Sequence, residues 1–248
     1  MGHTAPKGAQ TIAWRGFAPT WGDCVAMNMN IHFPNPAGCR ICLVRHGETG
    51  WNAERRLQGH IDIPLNDRGL AQAASTARSL ADHRFGAMYS SDLQRAHATA
   101  RAIAGLRPQP LKTEPRLRER HYGVFQGLTH DEASVRFPEA YARFKARDIE
   151  QPIPGDGESL AAFAARVVAA LTEIAQRHAG ERVLVVAHGG VLDVAHRLAA
   201  GKPLHTPRDF TIPNAALNWI EHDAGRWRLI AWGDERHLAH ALDELPNA

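Results

Sequence analysis

From about position 40 onward, apolar residues along this chain follow two rhythms in turn. Residues 41–44 (Ile-Cys-Leu-Val) form a short continuous apolar run, the pattern of a strand buried on both faces. Asp67, Arg68 and Gly69 open a segment over 67–82 in which Leu70, Ala73, Ala74, Ala77 and Leu80 recur at helical spacing. Residues 85–90 read as a second strand. Asp92 is placed to cap a helix running to 104, because a carboxylate accepts from the free N–H groups of a first turn. A third strand is expected over 111–117. A long helix is expected over 160–178, with Phe163, Val167, Ala170, Leu171 and Ile174 facing inward and Gly180 ending it. Residues 182–187 (Arg-Val-Leu-Val-Val-Ala) are the clearest central strand, and a helix follows over 191–200. Two closing strands, 216–221 and 227–232, flank the turn His222-Asp223-Ala224-Gly225. Strands alternating with helices predict an α/β fold: a single three-layer α/β/α domain with a mostly parallel sheet.

Residues 1–39 follow neither rhythm. They hold Gly, Pro, Asn and two tryptophans, and are expected to form a poorly ordered amino-terminal extension to a domain spanning 40–248. Met27 and Met29 stand just before that domain, consistent with a later start, and a short docking arm is the alternative. No internal repeat is visible.

Composition narrows the function classes. Of 248 residues, 44% are hydrophobic and 22% charged, the balance of an ordinary globular protein. A net charge of +3 and the lack of a dense basic run argue against a nucleic-acid partner. No apolar run reaches membrane-spanning length and residues 1–39 lack a signal-peptide core, so the expected location is cytoplasmic. Cys24, Cys39 and Cys42 make no disulfide framework. The Cys39-x-x-Cys42 spacing falls inside the first strand with no second pair, which argues against zinc or redox chemistry.

The chemistry concentrates at strand ends. The run Leu43-Val44-Arg45-His46-Gly47-Glu48-Thr49 carries an apolar strand straight into an arginine and a histidine. In an open α/β sheet, ligands bind at the carboxyl ends of the strands. A histidine there can be a covalent nucleophile, and an arginine can grip a phosphate through two parallel hydrogen bonds. Val185-Val186-Ala187-His188-Gly189-Gly190 repeats the design: a buried strand delivers a histidine, and glycines let backbone N–H groups approach an anion at a helix start. Arg95 lies in the first turn of the helix after the second strand. Glu119 follows the third strand in a charged cluster.

These segments, Arg-His-Gly-Glu-Thr with Trp51-Asn52, Ser-Asp-Leu-x-Arg-Ala over 91–96, Glu119 to Gly123, and His188-Gly189, resemble in order the motifs of the histidine phosphatase, or phosphoglycerate mutase-like, superfamily. The resemblance covers 40 to about 238. It implies that His46 is the nucleophile, that Arg45, Arg95 and His188 surround the phosphoryl oxygens, and that Glu119 protonates the leaving oxygen. Asn52 would add a hydrogen bond, with Thr49, Gly59 and Gly189 completing the phosphate site. Arg120 and Tyr122 match positions that hold a substrate carboxylate in the mutase branch. His46 must present an unprotonated nitrogen, so its other nitrogen should donate to a backbone carbonyl. No metal or other cofactor is expected, since the arginines supply the charge. The expected partner is a small phosphorylated metabolite, and nothing sets an oligomeric state.

Within that superfamily the chain reads as a phosphatase, with a cofactor-dependent mutase as the alternative, which would need 2,3-bisphosphoglycerate. His130 stands where the mutase motif has lysine, Gly190 where mutases carry Asn, and the basic insertion of mutases is missing between 137 and 158. A non-catalytic phosphate-binding module would lack the nucleophile or the acid, and both are present.

Overall fold

The computed structural model describes residues 37–106 and 109–239. The expectation about residues 1–39 lies almost wholly outside them. Strand β1 (Cys39–Arg45) pairs in parallel with β4 (Arg182–Ala187), and β4 with β2 (Ala87–Ser90), which pairs with β3 (Leu111–Thr113). On the other side β1 meets β5 (Leu217–Asp223) antiparallel, and β5 meets β6 (Arg226–Asp234). The order β3-β2-β4-β1-β5-β6 is the mostly parallel sheet expected, with an antiparallel pair at one edge.

Helices cover both faces. Helices α6 (Leu160–Arg177) and α7 (Gly189–Ala200) bury Phe163, Val167, Leu171 and Ile174 against one face. Helices α2 (Asp67–Ser79) and α3 (Gln94–Ala104) bury Ala77, Ala96, Ala100 and Ile103 against the other. Cys39 and Cys42, an odd number of residues apart on one strand, belong to these two opposite cores, so the Cys-x-x-Cys spacing brings no sulfurs together. Among the described residues no helix is long and apolar enough to cross a membrane.

Several boundaries differ from expectation for local reasons. The third strand stops at Thr113 because Pro115 has no N–H to give; Pro115–Leu117 is a 3-10 turn capped by Glu114. Helix α3 starts at Gln94, and Asp92 does not cap it. Asp92 is held by both ends of the Arg118 guanidinium (2.8 and 2.6 Å), while Asp62 reaches across to accept from Gln94 N (2.8 Å). On α2 Ala73, Ala77 and Leu80 face inward as expected, but Leu70 is 54% exposed and Gly69 is buried in its stead, packed backbone to backbone under Glu48 of the first motif.

Three short helices carry no periodicity long enough to read. Helix α1 (Gly50–Ala53) is closed by a reciprocal cap between Thr49 and Asn52. Helices α4 (His130–Arg136) and α5 (Pro138–Lys145) form a lobe in which Phe125 is buried among Phe137, Tyr141 and Phe144.

Leu80 (0% exposed) and Leu70 test this packing. Leu80→Ala should cost about 2–5 kcal/mol in urea unfolding, and Leu70→Ala no more than about 0.5 kcal/mol. Comparable losses would place Leu70 in the core.

Candidate active site

The register of β1 on β4 pairs Arg45 with Ala187, so the next residues, His46 and His188, emerge side by side. His46 N donates to Ala187 O (3.0 Å), and the two imidazole centroids lie 5.2 Å apart. Both rings are buried. His46 Nδ1 lies 2.7 Å from the carbonyl oxygen of Gly47, which can only accept; the hydrogen therefore sits on Nδ1 and Nε2 carries a free lone pair. Burial first, then the positive charges of Arg95 and Arg45, hold the His46 pKa well below the usual histidine range, so the ring is neutral at physiological pH.

His188 is held in the other sense. Its Nε2 meets Ser91 Oγ at 2.8 Å, and that oxygen already accepts from Leu93 N (3.3 Å). Ser91 Oγ can both donate and accept, so this contact holds the ring in place through Nε2, while Nδ1 is buried with no protein partner among the described residues. Burial, Arg95, His46 and Arg45 depress the His188 pKa as well.

Two arginines flank the pair, Arg95 buried and Arg45 half-buried. Arg95 (1% exposed) donates Nη1 to Ile61 O (2.9 Å) and Nη2 to Gly59 O (2.8 Å). Arg45 donates Nη1 to Ile212 O (2.7 Å). In both guanidiniums Nε is buried without a protein partner among the described residues. Burial lowers the Arg95 pKa to about 10, so it remains a cation at neutral pH.

Glu119 closes the far side. One carboxylate oxygen accepts from Arg120 N (2.8 Å) and the other from Gly190 N (3.0 Å). A Cβ on residue 190 would come within 2.2 Å of that carboxylate, so only glycine admits this approach. Arg166 positions the loop by donating to the carbonyls of Arg116, Arg118 and Glu119 while both its ends grip Glu158.

Arg45, His46, Asn52, Arg95, Glu119, Arg120, Tyr122 and Gly189 all line one cavity of about 460 Å³. His188 stands directly behind it. Thr49 and Gly59, expected at the phosphate, are placed behind the wall instead: Thr49 is fully buried as the cap of α1, and Gly59, at a φ of +56°, turns its carbonyl to Arg95. The Asn52 Oδ1 is taken by Thr49, so its amide hydrogens are the group left to donate. Arg120 gives Nε and Nη2 to Glu158 O and lies over the Phe144 ring.

Other contributors carried no readable signal. Asn214 Nδ2 donates to His46 O (2.8 Å) and Ala215 N to Arg45 O (2.9 Å), fixing the motif backbone from across 168 residues of chain. Arg147, Asp193 and Arg208 also line the cavity.

Comparison with known proteins agrees with this geometry. The family model described as "Histidine phosphatase superfamily (branch 1)" matches residues 41–235. The chain belongs to the histidine phosphatase superfamily. It is 42% identical over 201 residues to phosphoglycerate mutase-like protein 4 of Arabidopsis thaliana, covering 80% of this chain and 86% of the relative. To a metal-independent phosphoserine phosphatase of the same plant it is 43% identical over 206 residues, covering 80% and 83%. The solved structure of YhfR from Bacillus stearothermophilus superposes with a TM-score of 0.74 at 35% identity, covering 81% of this chain and 99% of that one. Within this superfamily the chain is a phosphomonoester hydrolase of the histidine phosphatase type.

The buried neutral histidines have a thermodynamic signature. Unfolded, each binds a proton near pH 6.5; folded, His46 and His188 do not. The unfolded state then binds more protons, so stability must fall as pH drops below about 6.5, by up to about 1.4 kcal/mol per pH unit for each ring. His188→Asn should flatten the slope between about pH 5.5 and 6.5 by one such contribution in urea titrations. An unchanged slope would mean that His188 titrates normally in the fold.

Proposed function

We propose that the protein hydrolyses small phosphomonoesters without a metal ion, through a phosphohistidine formed on His46. The observation that carries this is the His46 tautomer: a neutral ring with a free Nε2 lone pair, set between two arginine cations. Nε2 attacks phosphorus and the bond to the ester oxygen breaks. Glu119 gives its proton to the departing alkoxide, then takes one from a water that attacks the phosphohistidine and releases inorganic phosphate. Charge spreads over the three equatorial oxygens in this loose transition state. Arg45, Arg95 and Nδ1 of His188 are the groups assigned to those oxygens. Their fixed positions supply the electrostatic stabilisation that a metal ion supplies elsewhere.

Hydrolysis is favoured over mutase chemistry by the state of the other cations. His130 lines the cavity, but burial and Lys145 hold its pKa below the usual range, so a neutral ring replaces a charge. Arg147, on the segment where the mutase insertion is missing, is spent on Asp193 (2.7 Å). Among the described residues Arg120 Nη1 makes no hydrogen bond, while Nε and Nη2 are held by Glu158 O. Tyr122 stays a protonated phenol, its pKa raised chiefly by burial. These two groups suit a carboxylate on the substrate. The similar phosphoserine phosphatase makes O-phosphoserine a fitting first substrate.

His46→Ala should abolish turnover, and wild type quenched during turnover should carry an acid-labile, base-stable phosphoryl group. Phosphate release should continue in EDTA. Full activity in His46→Ala would end the mechanism, and loss on chelation restored by Mg²⁺ or Zn²⁺ would end its metal independence.

Glu119→Gln should cost about 10²–10⁴-fold on alkyl phosphates. The loss should be smaller on p-nitrophenyl phosphate, whose leaving group needs little protonation. Equal losses on both would contradict the acid assignment.

A further inference from the structure

The cavity wall holds seven arginines, and what each one touches divides them. Arg45 and Arg95 are oriented by the carbonyls of Ile212, Gly59 and Ile61 at the phosphoryl end. Arg56 is paired with Glu54 and Glu132, and Arg147 with Asp193. Arg120 is held by Glu158 O. The side chains of Arg55 and Arg208 make no hydrogen bond or ion pair among the described residues.

Arg208 lies between α7 and β5, four residues before Ile212, whose carbonyl holds Arg45. No acid nearby is left to neutralise it. Both oxygens of its neighbour Asp209 accept from Lys202 Nζ (2.7 and 2.6 Å). Of the two acids in the cavity wall, Glu119 accepts from Arg120 N and Gly190 N, and Asp193 from Arg147 and Arg197. Arg208 is an exposed residue that lines the cavity, so its guanidinium is open to whatever enters. Its charge acts on the Arg45 guanidinium and on the Tyr122 phenol, where the charge of Arg120 acts too. Coulomb interactions weaken with distance, so Arg208 stands within reach of both groups. Like charges that face one cavity repel, and a bound anion relieves the repulsion.

We propose that Arg208 is a specificity-determining residue whose guanidinium, together with Arg120 and Tyr122, receives a carboxylate on the substrate and so selects acidic phosphomonoesters over neutral ones. The inference rests on the phosphatase reading above and deepens it by naming the substrate class. The phosphoryl group engages Arg45 and Arg95, which leaves Arg208 for a second anionic group. A planar guanidinium fork matches the two oxygens of a carboxylate. Because Arg208 is exposed, solvent screens the contact, and its effect falls at the lower end for a hydrogen bond between charged groups.

The test compares two acids with the alcohols in which CH₂OH replaces the carboxylate. O-phosphoserine is paired with serinol phosphate, and 3-phosphoglycerate with glycerol 3-phosphate. In wild type, kcat/KM for at least one acid should exceed that of its alcohol by about tenfold or more. In Arg208→Gln that ratio should fall by about 5–20-fold, through a higher KM at unchanged kcat, while p-nitrophenyl phosphate is hydrolysed as by wild type. Arg226→Gln removes a charge from edge strand β6, outside the cavity wall, and should leave the ratio in place. A merely structural role for Arg208 would lower all rates together. Turnover of p-nitrophenyl phosphate without preference for either acid in wild type overturns this inference alone, whether or not the variants fold. An undiminished ratio in Arg208→Gln, or an equal loss in Arg226→Gln, overturns it as well. Hydrolysis of none of the five compounds overturns the phosphatase reading, and this one with it.

Discussion

Everything at the site depends on one pairing, the parallel register of β1 on β4. Because Arg45 lies opposite Ala187, His46 and His188 leave the sheet at the same level and their rings meet 5.2 Å apart. A shift by one residue would turn one histidine to the opposite face of the sheet. The register is locked by the apolar run on each strand, buried on both faces in two separate cores. The same hydrophobic pattern that drives folding therefore sets the spacing of the reacting groups, and the chemistry inherits the rigidity of the core.

A second constraint is how the arginines are divided. Burying a guanidinium is costly unless it is hydrogen-bonded. Arg45 and Arg95 meet that requirement with the carbonyls of Ile212, Gly59 and Ile61, which orient the cation without cancelling its charge. Arg118, Arg147 and Arg166 are instead paired with Asp92, Asp193 and Glu158. Those neutralised arginines brace loops, and the uncompensated ones are left for a dianion. Burial first, and then the charge of these arginines, depresses the histidine pKa values, so cations that would bind phosphate also help keep His46 unprotonated.

The division between what the sequence predicts and what it does not follows from range. Strands 41–44 and 182–187 are legible because a buried parallel strand must be continuously apolar, and the histidines are legible because they directly follow such runs. Thr49 and Gly59 do not line the cavity because a motif marks neighbours in sequence, while the cavity wall is set by side-chain direction: Thr49 turns inward as a cap, and Gly59 presents a carbonyl. Asn214 and Asp193 carry no readable signal, since each works through a partner many residues away. Helices α4 and α5, of seven and eight residues, are too short to establish an amphipathic pattern, and their lobe is held by Phe125, which lies outside both.

The contact between Gly190 and Glu119 joins these threads to the question of hydrolysis against transfer. The glycine N–H steadies one carboxylate oxygen, and the missing side chain lets the carboxylate sit against the start of α7. An asparagine there, as in the mutase pattern, could not coexist with this placement of Glu119; either the side chain or the carboxylate would have to move. Glu119 is thus held against the start of α7, while the neutral His130 and the paired Arg147 remove two charges that could hold a second phosphoryl group. The choice of acceptor then follows from where unpaired positive charge remains in the wall, which is why the carboxylate partners of the arginines matter as much as the arginines themselves.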